Sequence, residues 1–307
     1  MPPHVFAVSA GALRCARFER GPGGLELIEA REQPLPPDGF HSGPLGGPAR
    51  EPEALGNALD ALVAGEGQIE EASLVLPDQW LRLAFGELTE MPKGRQGRAE
   101  AFRFKLRQLV PFRVEELRVE GFEVAPLADQ EEPRRVVIAF CVEALARQLE
   151  RLFAERGIAL GLITSESLAL GSLLEAARDE AEGLAVQVLQ KSDAYTLLVS
   201  SAAGPVLFRH KASDAALDPA IRATAIVREL RMTRSFLEER LPGLRLERAV
   251  VVAADPADWA SWLREGLGVD AQPLSLRTLD GLTLRLSPGW SWLDGASLLG
   301  VALEEVA

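Results

Sequence analysis

One order of elements is written twice in this sequence: three short strands in a meander, an amphipathic helix, then a single apolar strand. The first copy has strand patterns at 5–8, 13–18 and 25–28, with Gly21-Pro22-Gly23-Gly24 as the last turn. A Pro/Gly-rich loop runs over 33–50. Pro52 then starts a helix whose Leu55, Leu59 and Leu62 share one face, and Gly65 stops it. Residues 72–76 read as a strand, and Leu81, Leu83 and Phe85 alternate as another. The second copy begins near Gly183, with strands at 184–189, 196–200 and 206–209. Asp218-Pro219 is an N-cap and first-turn pair for a helix with Val227, Leu230, Leu237 and Leu241 on one stripe, ended by Pro242-Gly243. Strands at 249–253 and 272–276 flank a helix through 259–264, and a helix over 296–306 closes the chain. The repetition predicts an α/β protein of two related lobes.

An insertion separates the copies. Its helix over 98–109 carries Phe102, Leu106 and Leu109 on one face and ends at Pro111. Strands follow at 117–124 and 135–141, then a helix with Leu145, Leu149 and Leu152 that Gly157 terminates. A helix–strand–strand–helix set of this size predicts a small α+β subdomain. The expected division is a first lobe over 1–87, the inserted subdomain over 88–157 and a second lobe over 158–307, with the last helix free to return to the first lobe.

Composition narrows the partners. The chain has 307 residues, 47% of them hydrophobic, with a formal net charge of −12. A surface this acidic repels phosphate backbones and anionic lipid, which argues against nucleic acid. Cys15 and Cys141 stand alone in apolar segments, so neither a disulfide framework nor a thiolate metal site is expected, and a reducing compartment is. The longest apolar run, 136–142, is far short of a membrane span, and 5–13 lacks the preceding basic residue of a signal peptide. A cytoplasmic protein without membrane insertion is the expectation. His4, His41 and His210 show no metal or catalytic spacing. Arg222, Arg228, Arg231 and Arg234, interleaved with Glu229, Glu238 and Glu239, read as a solvated helix face. Trp290 and Trp292 fit either an exposed partner site or core anchors.

Two longer pieces carry a resemblance. LTEMPKGRQGRAEAFRFKLRQLVPFRVEEL at 88–117 is a helix running into a Val-Pro-Phe-Arg-Val-Glu-Glu turn. VVIAFCVEALARQLERLFAERGIALGLITSESLALGSLLE at 136–175 is a strand–helix–strand–helix run. Over 76–174 the chain resembles the PilM family of type IV pilus assembly, itself similar to the division protein FtsA. The resemblance implies an actin-like fold: duplicated ribonuclease-H-like lobes facing each other across a cleft, with an inserted small α+β subdomain. It implies, as partner, the extended cytoplasmic tail of a PilN-type inner-membrane protein, docked where the insertion meets the first lobe, together with other pilus assembly components. The protein would then be peripheral to the inner membrane through its partners. Since Phe102, Leu106 and Leu109 bury inward, Phe104, Val110 and Phe112 are the candidates for the peptide groove, Phe112 having the alternative of plugging the turn after Pro111.

The same resemblance implies a lost nucleotide site. Actin-like ATPases hold the metal through an Asp in each of two glycine-bearing hairpins, because Mg²⁺ takes hard oxygen ligands and glycines admit phosphate to backbone N–H groups. Ala7 stands at the first Asp position, Ser9 at the Gly position and Arg14 at the Lys position. Leu189 and Lys191 stand at the second Asp and Gly. Ala254-Asp255-Pro256 replaces the Gly-Gly turn beside the adenosine, and only 211–217 remain where the family has an accessory subdomain. Lys191, Ser192 and Asp193 could contact an anion or simply form a hairpin turn. The expectation is a pseudo-ATPase scaffold: no catalytic residues, no cofactor, no metal. Two rivals stand. The GspL cytoplasmic domain of type II secretion shares the degenerate fold but precedes a membrane span, and the chain shows none by Ala307. An active ATPase or small-molecule kinase of the superfold would need the missing acids.

Overall fold

The computed structural model describes residues 4–21, 24–41, 43–126, 133–176, 183–213, 216–279, 283–286 and 290–306; Pro22 and Gly23 of the expected first turn lie outside them. The first meander is β1 (His4–Val8), β2 (Ala12–Gly21) and β3 (Gly24–Pro34), antiparallel throughout, with Phe6 opposite Cys15. α1 (Pro52–Val63) begins at Pro52 and buries Leu55, Leu59 and Leu62. β4 (Glu71–Leu76) returns parallel to β1. Then come β5 (Arg82–Leu88), α2 (Arg95–Leu109), β6 (Leu117–Val124), β7 (Arg134–Val142), α3 (Glu143–Ala154), β8 (Ala159–Ser165) and α4 (Glu166–Ala176). The second half holds β9 (Leu184–Gln190), β10 (Ala194–Ser201), β11 (Gly204–Ala212), α5 (Pro219–Arg240), β12 (Leu246–Val252), α6 (Pro256–Leu267), β13 (Ala271–Pro273), β14 (Leu284–Arg285) and α7 (Trp292–Val306).

Sheet order makes the duplication explicit. One sheet runs β14-β3-β2-β1-β4-β8 and the other β11-β10-β9-β12-β13. In each, a meander is followed by two strands parallel to its first member. Each sheet is covered on both faces, so its central strands are nearly continuous apolar runs. The side chains of β1 divide by parity: Phe6 and Val8 meet α1 and α3, while Val5 and Ala7 meet α4 and α7. Leu189, Val250 and Val252 of the second sheet join that same α4–α7 layer, whereas Val186, Val188, Leu197 and Val251 face α5 and α6. Two helices are therefore clasped between two sheets. They cross closely because α7 has glycine at the crossing: a Cβ on Gly300 would lie 1.9 Å from the Ala169 carbonyl oxygen.

The third sheet, β5-β7-β6, is small and carries α2 on one face, with Phe102 and Leu106 packed against Val136, Ile138 and Phe140. Sheet membership does not follow the expected divisions at 88 and 158. β5 pairs along its whole length with β7, Leu83 opposite Ala139, while α3 and β8 complete the first sheet's core and edge. The strand expected over 272–276 is short: only Ala271–Pro273 pairs with β12, and Leu276–Leu279 forms a 3₁₀ turn. The Leu274 N–H still reaches the Val251 carbonyl at 2.9 Å, and the chain then leaves the sheet for that turn. β14, which the sequence pattern does not announce, pairs in parallel with β3.

Candidate functional site

The two hairpins that the resemblance assigns to nucleotide binding converge on the first turn of α7. Arg14 of β2 pairs with Glu32 at 2.5 Å and reaches Asp294 at 3.2 Å. Lys191, in the β9–β10 turn, donates from Nζ to the Leu293 carbonyl at 2.9 Å and pairs with Glu166 at 2.8 Å. Ala7 and Leu189 are both buried in the apolar cluster around α4 and α7, where neither offers an oxygen to a cation. Ser9 is committed locally: its Oγ accepts from the Ala12 N–H at 3.1 Å and donates to the Ala12 carbonyl at 3.2 Å. Ala254 is exposed ahead of α6, and Asp255-Pro256 opens that helix. β11 ends at Ala212 and α5 starts at Pro219, where the Asp218 side chain accepts from the Ala220 and Ile221 N–H groups. Only residues 213–218 separate the two, and 214 and 215 lie outside the described set.

Beneath the hairpins lies a polar layer that sequence reading missed. Asp78, 3% exposed, accepts from the Ser167 N–H at 2.9 Å and the Ser167 hydroxyl at 2.5 Å, satisfying donors in the first turn of α4. Gln187 of β9 donates to the Ser167 carbonyl at 2.5 Å. Glu166 opens α4. Burial raises its carboxyl above the usual range, the nearby Asp78 charge adds to that, and Lys191 and Arg14 oppose it. The only trace in sequence is the Ser-Glu-Ser run after an apolar strand; its partners are distant in the chain. His210, also expected to be non-catalytic, shares Thr196 Oγ1 at 3.0 Å, and burial lowers its pKa.

A groove opens elsewhere. β6 is an edge of the small sheet and β8 an edge of the large one, and the space between them is walled by consecutive residues of both. One chamber, about 610 Å³, is bounded by Phe122, Val124, Leu162, Leu168, Leu174 and Leu198, with Glu123 and Glu175 at its walls. A second, about 400 Å³, is bounded by Leu160, Gly161, Arg95, Arg118 and Glu150. Glu120, Ala139 and Ile163 border both chambers. Arg118 is held in place by Glu143, at 3.0 Å, and by Glu150.

The three groove candidates do not line either chamber. Phe104 is 60% exposed on the outer face of α2. Val110 and Phe112 lie half-buried against the small core, Phe112 with its ring centroid 6.4 Å from that of Phe140. Phe112 thus fills the turn after Pro111. Leu109, expected inside, is 49% exposed. Of the two tryptophan readings the core anchor holds: Trp290 and Trp292 stack edge to face at 6.4 Å, and Trp290 also meets Phe18 at 6.3 Å. Pro288, part of that expected turn, lies outside the described residues. On α5, Arg231 and Arg234 pair with Glu265 and Glu238 at the surface. Among the described residues no cluster of three or more His, Cys, Asp or Glu could hold a metal, and no helix is long and apolar enough to cross a membrane.

No family model and no curated protein matches this sequence. Solved structures do match it. A chain of the PilM-PilN type IV pilus biogenesis complex superposes with a TM-score of 0.77 at 17% identity, covering 99% of this chain and 98% of that one. A Bacteroides thetaiotaomicron protein described as having an actin-like ATPase fold and unknown function gives 0.52 at 9% identity, covering 98% and 95%. The cytoplasmic domain of EpsL, an inner-membrane component of the Vibrio cholerae type II secretion system, gives 0.50 at 11% identity, covering 100% and 95%. With its duplicated sheet order and likeness along the whole chain, this is a protein of the actin-like fold, PilM-like in its architecture.

Proposed function

We propose that the protein is a non-catalytic adaptor of type IV pilus assembly that binds the extended cytoplasmic tail of a PilN-type inner-membrane protein. The observation carrying this reading is the groove between two open strand edges. β6 and β8 each have a paired neighbour on one side only, and the apolar space between them would accept an extended peptide by strand addition. Main-chain hydrogen bonds would supply affinity, and the apolar chamber would select side chains. The tail would thereby hold the protein at the cytoplasmic face of the inner membrane, and further pilus components would assemble on it. The reading keeps the notion of an inserted unit between two lobes, with the groove at its base.

The pseudo-ATPase part rests on chemistry. The positions that the resemblance gives to metal-holding acids carry Ala7 and Leu189, and the cations beside them, Arg14 and Lys191, already have carboxylate partners. A GspL-like role in type II secretion would use the same fold, and the EpsL likeness gives it support at fold level alone. Fluorescence anisotropy with a labelled tail peptide from a single-span membrane protein encoded beside this chain tests the adaptor reading. Wild type should bind saturably, and Ala139→Arg, which fills the wall shared by both chambers, should abolish binding. A Phe104→Ala, Phe112→Ala double variant that abolishes binding while Ala139→Arg binds normally would move the site to α2. Titration with Mg-ATP at millimolar concentration should give no saturable heat; micromolar binding lost in Lys191→Ala would overturn the pseudo-ATPase reading.

A further inference from the structure

α5 turns an apolar line to solvent. Its inward stripe includes Ile226, Leu230 and Leu237, buried against the second sheet and α6. At about 100° per residue, Ala225, Arg228 and Met232 fall within about 40° of Ile221, on the opposite side of the helix. All four are exposed, Ile221 at 59% and Met232 at 43%. Leu217, just ahead of the N-cap Asp218, is also exposed at the same end. Three of the eight large apolar side chains exposed among the described residues therefore lie on or beside this one helix. Scattered exposed apolar residues are ordinary, whereas a line of them spaced i, i+4 and i+11 on the solvent side of a helix marks a contact face.

Charge borders that line unevenly. Arg228 sits in it between Ala225 and Met232, and Arg222 is the i−3 neighbour of Ala225. Neither has a carboxylate partner among the described residues. Glu229, which also borders Ala225 and Met232, is taken by Lys211 at 3.0 Å, Arg231 by Glu265 and Arg234 by Glu238. Glu239, on the same line, is two turns beyond Met232. We propose that this face of α5 docks an amphipathic helix of another protein, apolar at the matching spacing, with carboxylates opposite Arg222 and Arg228 and a balanced charge overall. Burial of the line supplies affinity, the arginine stems extend the apolar contact, and their guanidinium groups select the carboxylates. Balance is required because the chain carries −12, which repels a strongly acidic partner as a whole. The ion pairs themselves form at contact distance, inside the screening length of about 8 Å at physiological salt. A second copy of the chain is disfavoured: whichever way two α5 helices lay along this line, the two Arg228 side chains would come within one turn of each other. None of these residues borders either chamber, so the surface is independent of the groove.

The probe is a designed helical peptide of about 20 residues with blocked termini and leucine at the matching spacing. It carries two glutamates at the edge of the leucine stripe and two lysines on its far face; in the control peptide all four are glutamine. Neither peptide has a net charge, so the difference between them reports contact pairing alone. The full chain with Ser235→Cys takes an environment-sensitive dye one turn from Met232, and Cys15 and Cys141 are buried, so the label is site-specific. At physiological salt the glutamate peptide should shift the dye saturably and bind roughly three- to tenfold tighter than the control. Arg222→Gln, Arg228→Gln should erase that preference while leaving the control peptide's affinity close to wild type. Ile221→Ser and Met232→Ser should each weaken both peptides about tenfold. Leu276→Ser, at an exposed apolar position outside α5, should change nothing. Circular dichroism checks folding; if the double arginine variant unfolds, the single Arg228→Gln decides. No saturable response to the glutamate peptide, equal affinity for the two peptides, or wild-type binding by Ile221→Ser overturns the proposal. So does dimerisation in sedimentation velocity that Ile221→Ser removes without any peptide binding, which would assign the face to a second copy of the chain. Tail binding at the groove would stand in each of these cases.

Discussion

Replacing Lys191 with Met removes the cation that holds the second hairpin against the first turns of α4 and α7. Two interactions go, the 2.9 Å hydrogen bond to the Leu293 carbonyl and the 2.8 Å pair with Glu166. The larger consequence is for Glu166, whose side chain is 15% exposed and which keeps Asp78 as an unfavourable neighbour. Removing one partner of a buried pair costs about 3–5 kcal/mol, and partial exposure of both groups here reduces that to about 2–3 kcal/mol at neutral pH. The sign of the pH dependence follows from the raised Glu166 carboxyl. A folded-state pKa above the unfolded value means the native state binds the extra proton, so stability falls as pH rises from the unfolded value through the folded one. Without Lys191 the folded value moves higher, so Lys191→Met should be close to wild type near the ordinary Glu pKa and fall behind progressively toward neutrality. Adding Glu166→Gln should recover most of the loss. Urea denaturation of wild type, Lys191→Met and the double variant across that pH range measures all three. Equal destabilisation at every pH, or no rescue by Glu166→Gln, would refute the assignment of the cost to an orphaned carboxyl.

Gly300→Ala should destabilise the protein by about 1–3 kcal/mol in a thermal melt, because the added methyl meets the Ala169 carbonyl oxygen and must push α7 from α4. Alanine's helix preference, about 1 kcal/mol in the other direction, makes the sign informative: a stabilised variant would mean that the crossing relaxes freely. Burial pushes the Cys15 thiol up to about 12 and Cys141 up to about 11. Neither should react with a thiol-specific reagent at mildly alkaline pH in the folded protein, while both should titrate in denaturant; fast native-state labelling of either would contradict its placement in the core.

Much of the architecture is written locally. Short apolar runs over 5–8 and 184–189, Pro52 at a helix start and Asp218-Pro219 at another are short-range signals, and each element formed where its signal stands. The duplicated order of those elements already implied two like sheets. What the local pattern leaves open is which edge a strand joins. β5 follows β4 closely in sequence yet pairs with β7, and β8 closes the first sheet after the small one has been inserted. Strand propensity describes a residue's fit to a pleated surface and does not name its neighbour; pairing is settled by long-range hydrogen bonding and burial. The groove is a product of that choice, since it exists only where edges β6 and β8 come to face each other. The contacts of the second hairpin are decided the same way. The sequence by itself placed Ala7 and Leu189, whose side chains carry no oxygen, at the ends of the first strands of the two meanders. Only tertiary packing decided that Lys191 would find Glu166 and the Leu293 carbonyl, because a charged side chain in a partly dry interior takes whatever counter-charge the fold brings within reach.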